Sequence, residues 1–77
     1  MKLTGKLKIE PFMGEKRLIL DGPYEQICVI NMQDRLDLLG SMIRVEGDRV
    51  GEGWLVKVTQ IKMADSKGRS FGDWTPV

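Results

Sequence analysis

Few side chains in this sequence could do chemistry. The chain has no histidine, one cysteine (Cys28), twelve Lys/Arg and eleven Asp/Glu. Without histidine there is no His-based triad, and a lone cysteine makes neither an intramolecular disulfide nor a Cys/His zinc site. Cys28 stands inside Ile27-Cys28-Val29-Ile30 with no basic neighbour in sequence to lower its pKa. It reads as a small core hydrophobe rather than a reactive thiol. Asp34 and Asp37 could share a helix face, but general acid–base work needs a carboxyl shifted within a pocket. With Arg35 between them they read as a solvated surface. No phosphate-cradling glycine loop, dinucleotide motif, zinc spacing or nucleophile elbow is present. The expectation is a non-enzymatic protein with no catalytic residue, no metal and no cofactor.

Binding is what remains, and its residues must be held by short elements. At 77 residues the chain is one small domain, and a domain of this size leaves little margin of stability. Its 42% hydrophobic content is too high for a disordered chain. No apolar run reaches the roughly 18 residues of a membrane helix. Residues 1–10 alternate Lys with apolar residues and contain no apolar block of the kind a secretory signal has, so the cytoplasm is the expected compartment.

Period-2 alternation dominates. In Lys2–Glu10, Leu3, Leu7 and Ile9 share one face with Gly5, and the lysines take the other. A glycine there marks a bulge or a sharp bend in a curved strand. Pro11–Glu15 reads as a loop, Lys16–Asp21 as a second strand, Asp21-Gly22-Pro23 as a turn, and Gln26–Ile30 as a third strand. The one helical stretch is Met32–Leu39, with Asn31 as N-cap, Gly40 just beyond its end, and Met32, Leu36 and Leu39 on one side. Ser41–Gly47 is a fourth strand and Trp54–Met63 a fifth. In the fifth, Trp54, Val56 and Val58 share the inward face and Ile61 falls out of phase, which predicts a bulge near Thr59-Gln60. Residues 64–77 lose the alternation and form a tail, either flexible or docked through Phe71 and Trp74.

The expected fold is an all-β, five-stranded antiparallel barrel over residues 1–63, with one short helix between strands three and four. This order, together with Leu39-Gly40-Ser41-Met42-Ile43-Arg44-Val45-Glu46-Gly47, the glycine-rich loop after it, and Trp54–Ile61, resembles the OB-fold (oligonucleotide/oligosaccharide-binding) family. The likeness is to its small bacterial or phage single-domain members. The opening Leu3-Thr4-Gly5-Lys6-Leu7 is similar to their first strand. The resemblance spans about residues 2–63 and leaves the tail unexplained.

That resemblance implies a ligand face on strands two and three, flanked by the loops 11–16 and 48–53. Phe12 and Tyr24 are then stacking candidates, and Lys16, Arg17, Arg44, Arg49 and Lys57 phosphate contacts, which suits single-stranded DNA or RNA. Each has a plainer reading: Phe12 covering a barrel end, Tyr24 packing beside its turn, Trp54 in the core. The net charge of +1 gives no global pull toward polyanions, so binding must come from a local patch. The alternative is a protein-binding module or inhibitor, or a self-associating subunit. Ile19, Cys28 and Ile30 would then face outward as an apolar patch, with Phe71 and Trp74 as further interface residues.

Overall fold

The computed structural model describes residues 1–77. The alternation of the first segment forms β1 (Lys2–Phe12), followed by β2 (Glu15–Asp21), β3 (Gln26–Val29), β4 (Met42–Val50), β5 (Leu55–Ala64) and β6 (Ser70–Pro76). The order in the sheet is β3-β2-β1-β4-β5-β6, and β3 also pairs with β5. The first five strands therefore close into a ring, antiparallel except at the β3–β5 seam, which is parallel. This is an all-β, OB-like barrel.

β1 serves two neighbours. Lys2–Lys6 pair with β4 and Lys6–Phe12 pair with β2, so the strand changes partner at Lys6. Gly5 stands just before that point. A Cβ there would lie 2.5 Å from the Asp21 carbonyl oxygen, too close for any side chain. The glycine read as a bend is thus the place where two backbones meet. The bulge expected near Thr59-Gln60 is also present: Glu46 pairs with Gln60 and Gly47 with Val58, leaving Thr59 unmatched. The expected loop over residues 11–15 is tighter than anticipated. Phe12 pairs with Glu15 and only Met13-Gly14 turn the chain, both at positive φ (54° and 85°), as a type I′ hairpin requires.

The ring encloses twelve buried apolar residues, including Leu7, Leu20, Ile27, Ile43, Val45 and Val56. Each such side chain contributes about 1.5–3 kcal/mol by leaving water. Met32 and Leu38 belong to the same cluster and enter it from the connection between β3 and β4.

That connection corrects the expected helix. Only Leu36–Leu38 form a single 3-10 turn. Its bonds run from the N–H of Arg35, Leu38, Leu39 and Ser41 to the carbonyl three residues back, at 2.9–3.2 Å. Met32 and Leu38 are buried, whereas Leu36 and Leu39, assigned to the same apolar side as Met32, are exposed. Asn31 does not cap a helix. Its amide donates to the Val58 carbonyl at 2.7 Å and its side-chain oxygen accepts from the Val58 N–H at 2.8 Å. The side chain thus imitates one more strand residue and carries the β3–β5 seam past the end of β3. A two-turn helix is too short to resist this competition.

The segment after residue 64 is a turn followed by β6, which pairs with β5 from Gln60↔Pro76 to Ala64↔Ser70. Asp65 organises the turn by accepting from the Lys67 and Arg69 N–H groups, both at 2.9 Å. Two residues of β6 bulge out of register opposite Lys62. Alternation fails in this stretch because the bulge and the glycines break the period.

Replacing Asn31 with Ala should destabilise the barrel by about 1–3 kcal/mol, because it strands a part-buried N–H and carbonyl. Amide exchange at Val58 should accelerate before that of Val45. Unchanged protection at Val58 would mean that the seam closes without Asn31.

Candidate nucleic-acid interface

The hairpin turn at Met13-Gly14 and the β4–β5 connection converge over the outer side of β2 and β3. Phe12 and Trp54 meet there, ring centroids 5.0 Å apart and planes tilted by 49°. The Arg17 guanidinium lies 6.0 Å from the Trp54 centroid, at the limit for a cation–π contact. Its Nε donates to the Phe12 carbonyl at 3.2 Å, and its other end pairs with Glu15 at 3.1 Å. Trp54 is a correction. It precedes β5 rather than opening it, is only half-buried, and is not in the core cluster. The inward-facing set begins at Val56.

The other anticipated residues are dispersed. Arg49 braces the β4–β5 connection, donating to the Gly53 carbonyl and to Glu25, each at 2.7 Å. Tyr24 protrudes from the β2–β3 turn, 98% exposed. Lys16 lines a cleft of about 430 Å³ at the barrel mouth, with Ile9, Leu18, Val29, Ile30 and Leu36. Lys57 is exposed on β5 opposite Asp48. Arg44 lies on β4 and bonds Thr4 on β1 at 2.9 Å, so it belongs to the opposite side of the barrel.

The apolar patch expected on β2 and β3 does not form at Ile19 and Cys28. Ile19 is fully buried and Cys28 nearly so, although both lie outside the core cluster. Lys8 stands directly opposite Ile19 on β1 and holds Glu10 and Asp21, each at 2.7 Å. Ile30 and Phe71 are exposed. Phe71 pairs with Met63, and Trp74 lies against Lys2 and Lys62.

On the β2–β3 side Lys8 is paired with Asp21 and Glu10, Arg17 with Glu15 and Arg49 with Glu25, whereas Lys16 has no ion-pair partner. The hydrogen bond from Lys8, then that from Gln26, holds the Asp21 carboxyl below its ordinary 3.8. The bond to Asp21, then that to Glu10, raises Lys8 above 10.5. No group of three or more His, Cys, Asp or Glu side chains is placed to hold a metal. No helix is long and apolar enough to cross a membrane.

The fold and site define an OB-like barrel with an aromatic pair beside its two converging connections. Compared with protein-family models, curated proteins and solved structures, the chain matches none.

The Lys8 cluster sets a pH response. Asp21 has a lowered pKa, so its contribution to stability is present above 3.8 and is lost as pH falls through the folded value; the contribution of Lys8 is present below 10.5 and is lost as pH rises through its raised value. Urea midpoints of Lys8→Met should therefore change less than those of the native chain between about pH 7 and pH 3. Equal acid sensitivity in both would show that the cluster contributes nothing.

Proposed function

We propose that this protein is a non-enzymatic binding module for single-stranded nucleic acid, working in the cytoplasm. The observation that carries the reading is the half-buried Phe12–Trp54 pair with Arg17 beside it. Aromatic faces held by a rigid hairpin accept unstacked bases of any identity, and each stacked base is worth about 1–3 kcal/mol. Duplex DNA keeps its bases paired and offers no such face. Tyr24, free on its turn, is a further stacking residue within reach of a flexible strand. Because Arg17 and Arg49 already have carboxylate partners, stacking rather than charge supplies the affinity of this face.

The test is anisotropy with a labelled oligothymidylate of roughly 16 nucleotides, the upper site size of one such barrel, at about 50 mM salt. Phe12→Ala and Trp54→Ala should each weaken binding roughly ten- to hundredfold while the fold persists by circular dichroism. No binding by the native chain at that salt would overturn the reading.

A second reading, a protein-binding or self-associating barrel, is favoured by the cleft at the barrel mouth. Ile9 (50% exposed), Leu36 (51%) and Ile30 (38%) flank it, an apolar rim that a partner would bury. A concentration-dependent mass in light scattering, abolished by Ile9→Lys, would support it; a monomer that captures single strands would count against it.

A further inference from the structure

The side of the barrel opposite Phe12 and Trp54 carries a different distribution of charge. Along β1 the outward residues are Lys2, Thr4 and Lys6; their neighbours on β4 are Glu46, Arg44 and Met42, and Arg44 and Glu46 face Lys62 and Gln60 on β5. Trp74 of β6 completes the row, its ring 5.3 Å from the Lys62 ammonium and 5.9 Å from that of Lys2. Four cations thus share this surface with two carboxylates, Asp21, which stands opposite Lys6 and is held by Lys8, and Glu46. Glu46 is already occupied by Gln60 at 2.6 Å and Lys2 at 3.4 Å, and those bonds hold it below its ordinary 4.5, Gln60 contributing most. Lys6, Arg44 and Lys62 make no ion pair; the four ion-paired cations other than Lys2 are Lys8, Arg17, Arg35 and Arg49. Asp73, next to Trp74, lines a cleft at the β6 edge of this face together with Lys62, Arg35 and Ile61. At the Met42 end the row meets a cleft of about 400 Å³ lined by Asp21 and by Lys67, a cation with no ion-pair partner.

We propose that this β1–β4–β5–β6 face is the phosphate-contacting surface of the protein, with Lys6, Arg44 and Lys62 meeting the backbone of a single strand and Trp74 stacking one of its bases. The inference rests on the single-strand reading and relocates its electrostatic part. A chain of net charge +1 has no general attraction for a polyanion, so the attraction must come from wherever cations are left without partners. On the β2–β3 side Lys16 alone is left without an ion pair, whereas this face holds three such cations, Lys6, Arg44 and Lys62. Counterion release gives the two faces different signatures. Each phosphate neutralised on a single strand contributes about −0.7 to the slope of log K against log salt, whereas stacking contributes almost none.

Two measurements on the full chain, with the same oligothymidylate as probe, decide it. The two tryptophans lie on the two faces, so single-tryptophan variants report each separately. Trp54→Phe leaves Trp74 as reporter, and Trp74→Phe leaves Trp54. The expected result is quenching of Trp74 on titration, together with a salt slope that falls by about 2 in the triple variant Lys6→Gln/Arg44→Gln/Lys62→Gln, since three contacts are removed. These positions are surface-exposed or half-buried on strands, and circular dichroism checks that the variant remains folded. If only Trp54 responds and the triple variant keeps the native slope, this inference is overturned while the single-strand reading stands. If Trp74 alone responds, the inference holds and the Phe12–Trp54 pair is not the stacking site. If the native chain does not bind, both fall.

Discussion

Closing the β3–β5 seam is the constraint on which the rest of this structure depends. Only two residue pairs lie in register there, Cys28↔Leu55 and Val29↔Val56. The seam is lengthened by the Cys28 N–H bonding the Trp54 carbonyl at 2.8 Å, the Ile30 N–H bonding that of Val56 at 3.1 Å, and the Asn31 amide clamping Val58. A five-stranded sheet left open would expose two edges and one apolar face. Closed, it buries the cluster from Leu7 to Ile61 in a chain too short to build a second layer. The same closure fixes the site. The bond from Cys28 to the Trp54 carbonyl places Trp54 against β3, within reach of Phe12 on the hairpin. The β5 bulge at Thr59 lies next to Val58, the residue that Asn31 clamps. Seam, bulge and aromatic pair form one mechanical arrangement.

The charges divide around the barrel in a way that neutral composition conceals. Twelve cations and eleven anions could have alternated everywhere. Instead the outer side of β2 carries short ion pairs around Lys8 and Asp21, which surround the fully buried Ile19. Pairing on that side serves the fold: the polar heads partner each other while the Lys8 stem can lie along apolar surface. Across the barrel, on β1, β4 and β5, the register places Thr4, Arg44 and Lys62 side by side, and no acidic residue stands among them. Cross-strand like charges repel unless something compensates. The Trp74 ring beside Lys62 supplies one compensation, through its negative face. A polyanion would supply the larger one.

Much of this was legible in the sequence, and the reason is period. β1, β2, β4 and β5 alternate because one side of each is core. The phase slip at Ile61 located the Thr59 bulge, and Gly5 on an inward face marks where β1 changes partner. The misreadings share a physical cause. Met32–Leu39 has a helical apolar spacing, but its fate was decided by Asn31 finding a backbone partner 27 residues away, which no local pattern contains. Trp54 sits in phase with Val56 and Val58, yet the strand begins one residue later and its ring turns outward to Phe12. Ile19 alternates with the core residues Leu18 and Leu20 and stays outside their cluster, but its exposure depends on what the neighbouring strands lay over it, and it is fully buried. Trp74 carried no periodic signal, because β6 is bulged beside it. Among the site residues, Phe12 and Arg17 were recognisable from their place beside the hairpin. Lys62 was not, since its pairing with Trp74 requires knowing that the tail returns to β5.

The hairpin tip shows what the sheet demands of this sequence. A two-residue type I′ turn matches the twist of β1 and β2 but needs positive φ at both central positions. Gly14 meets that at no steric cost. Met13 does not: at φ 54° it occupies a conformation that costs an ordinary L-residue roughly 1–2 kcal/mol, where asparagine would be relaxed. Its side chain recovers nothing by burial, being 69% exposed. The strained residue lies immediately after Phe12, on the rigid hairpin that presents the aromatic pair. Its strain is held in place by the Phe12↔Glu15 pair and by the Arg17 bond to the Phe12 carbonyl. The side chain that bridges toward Trp54 is therefore also the one that locks the turn, so the geometry of the aromatic pair and the conformation of the loop beside it are coupled through Arg17.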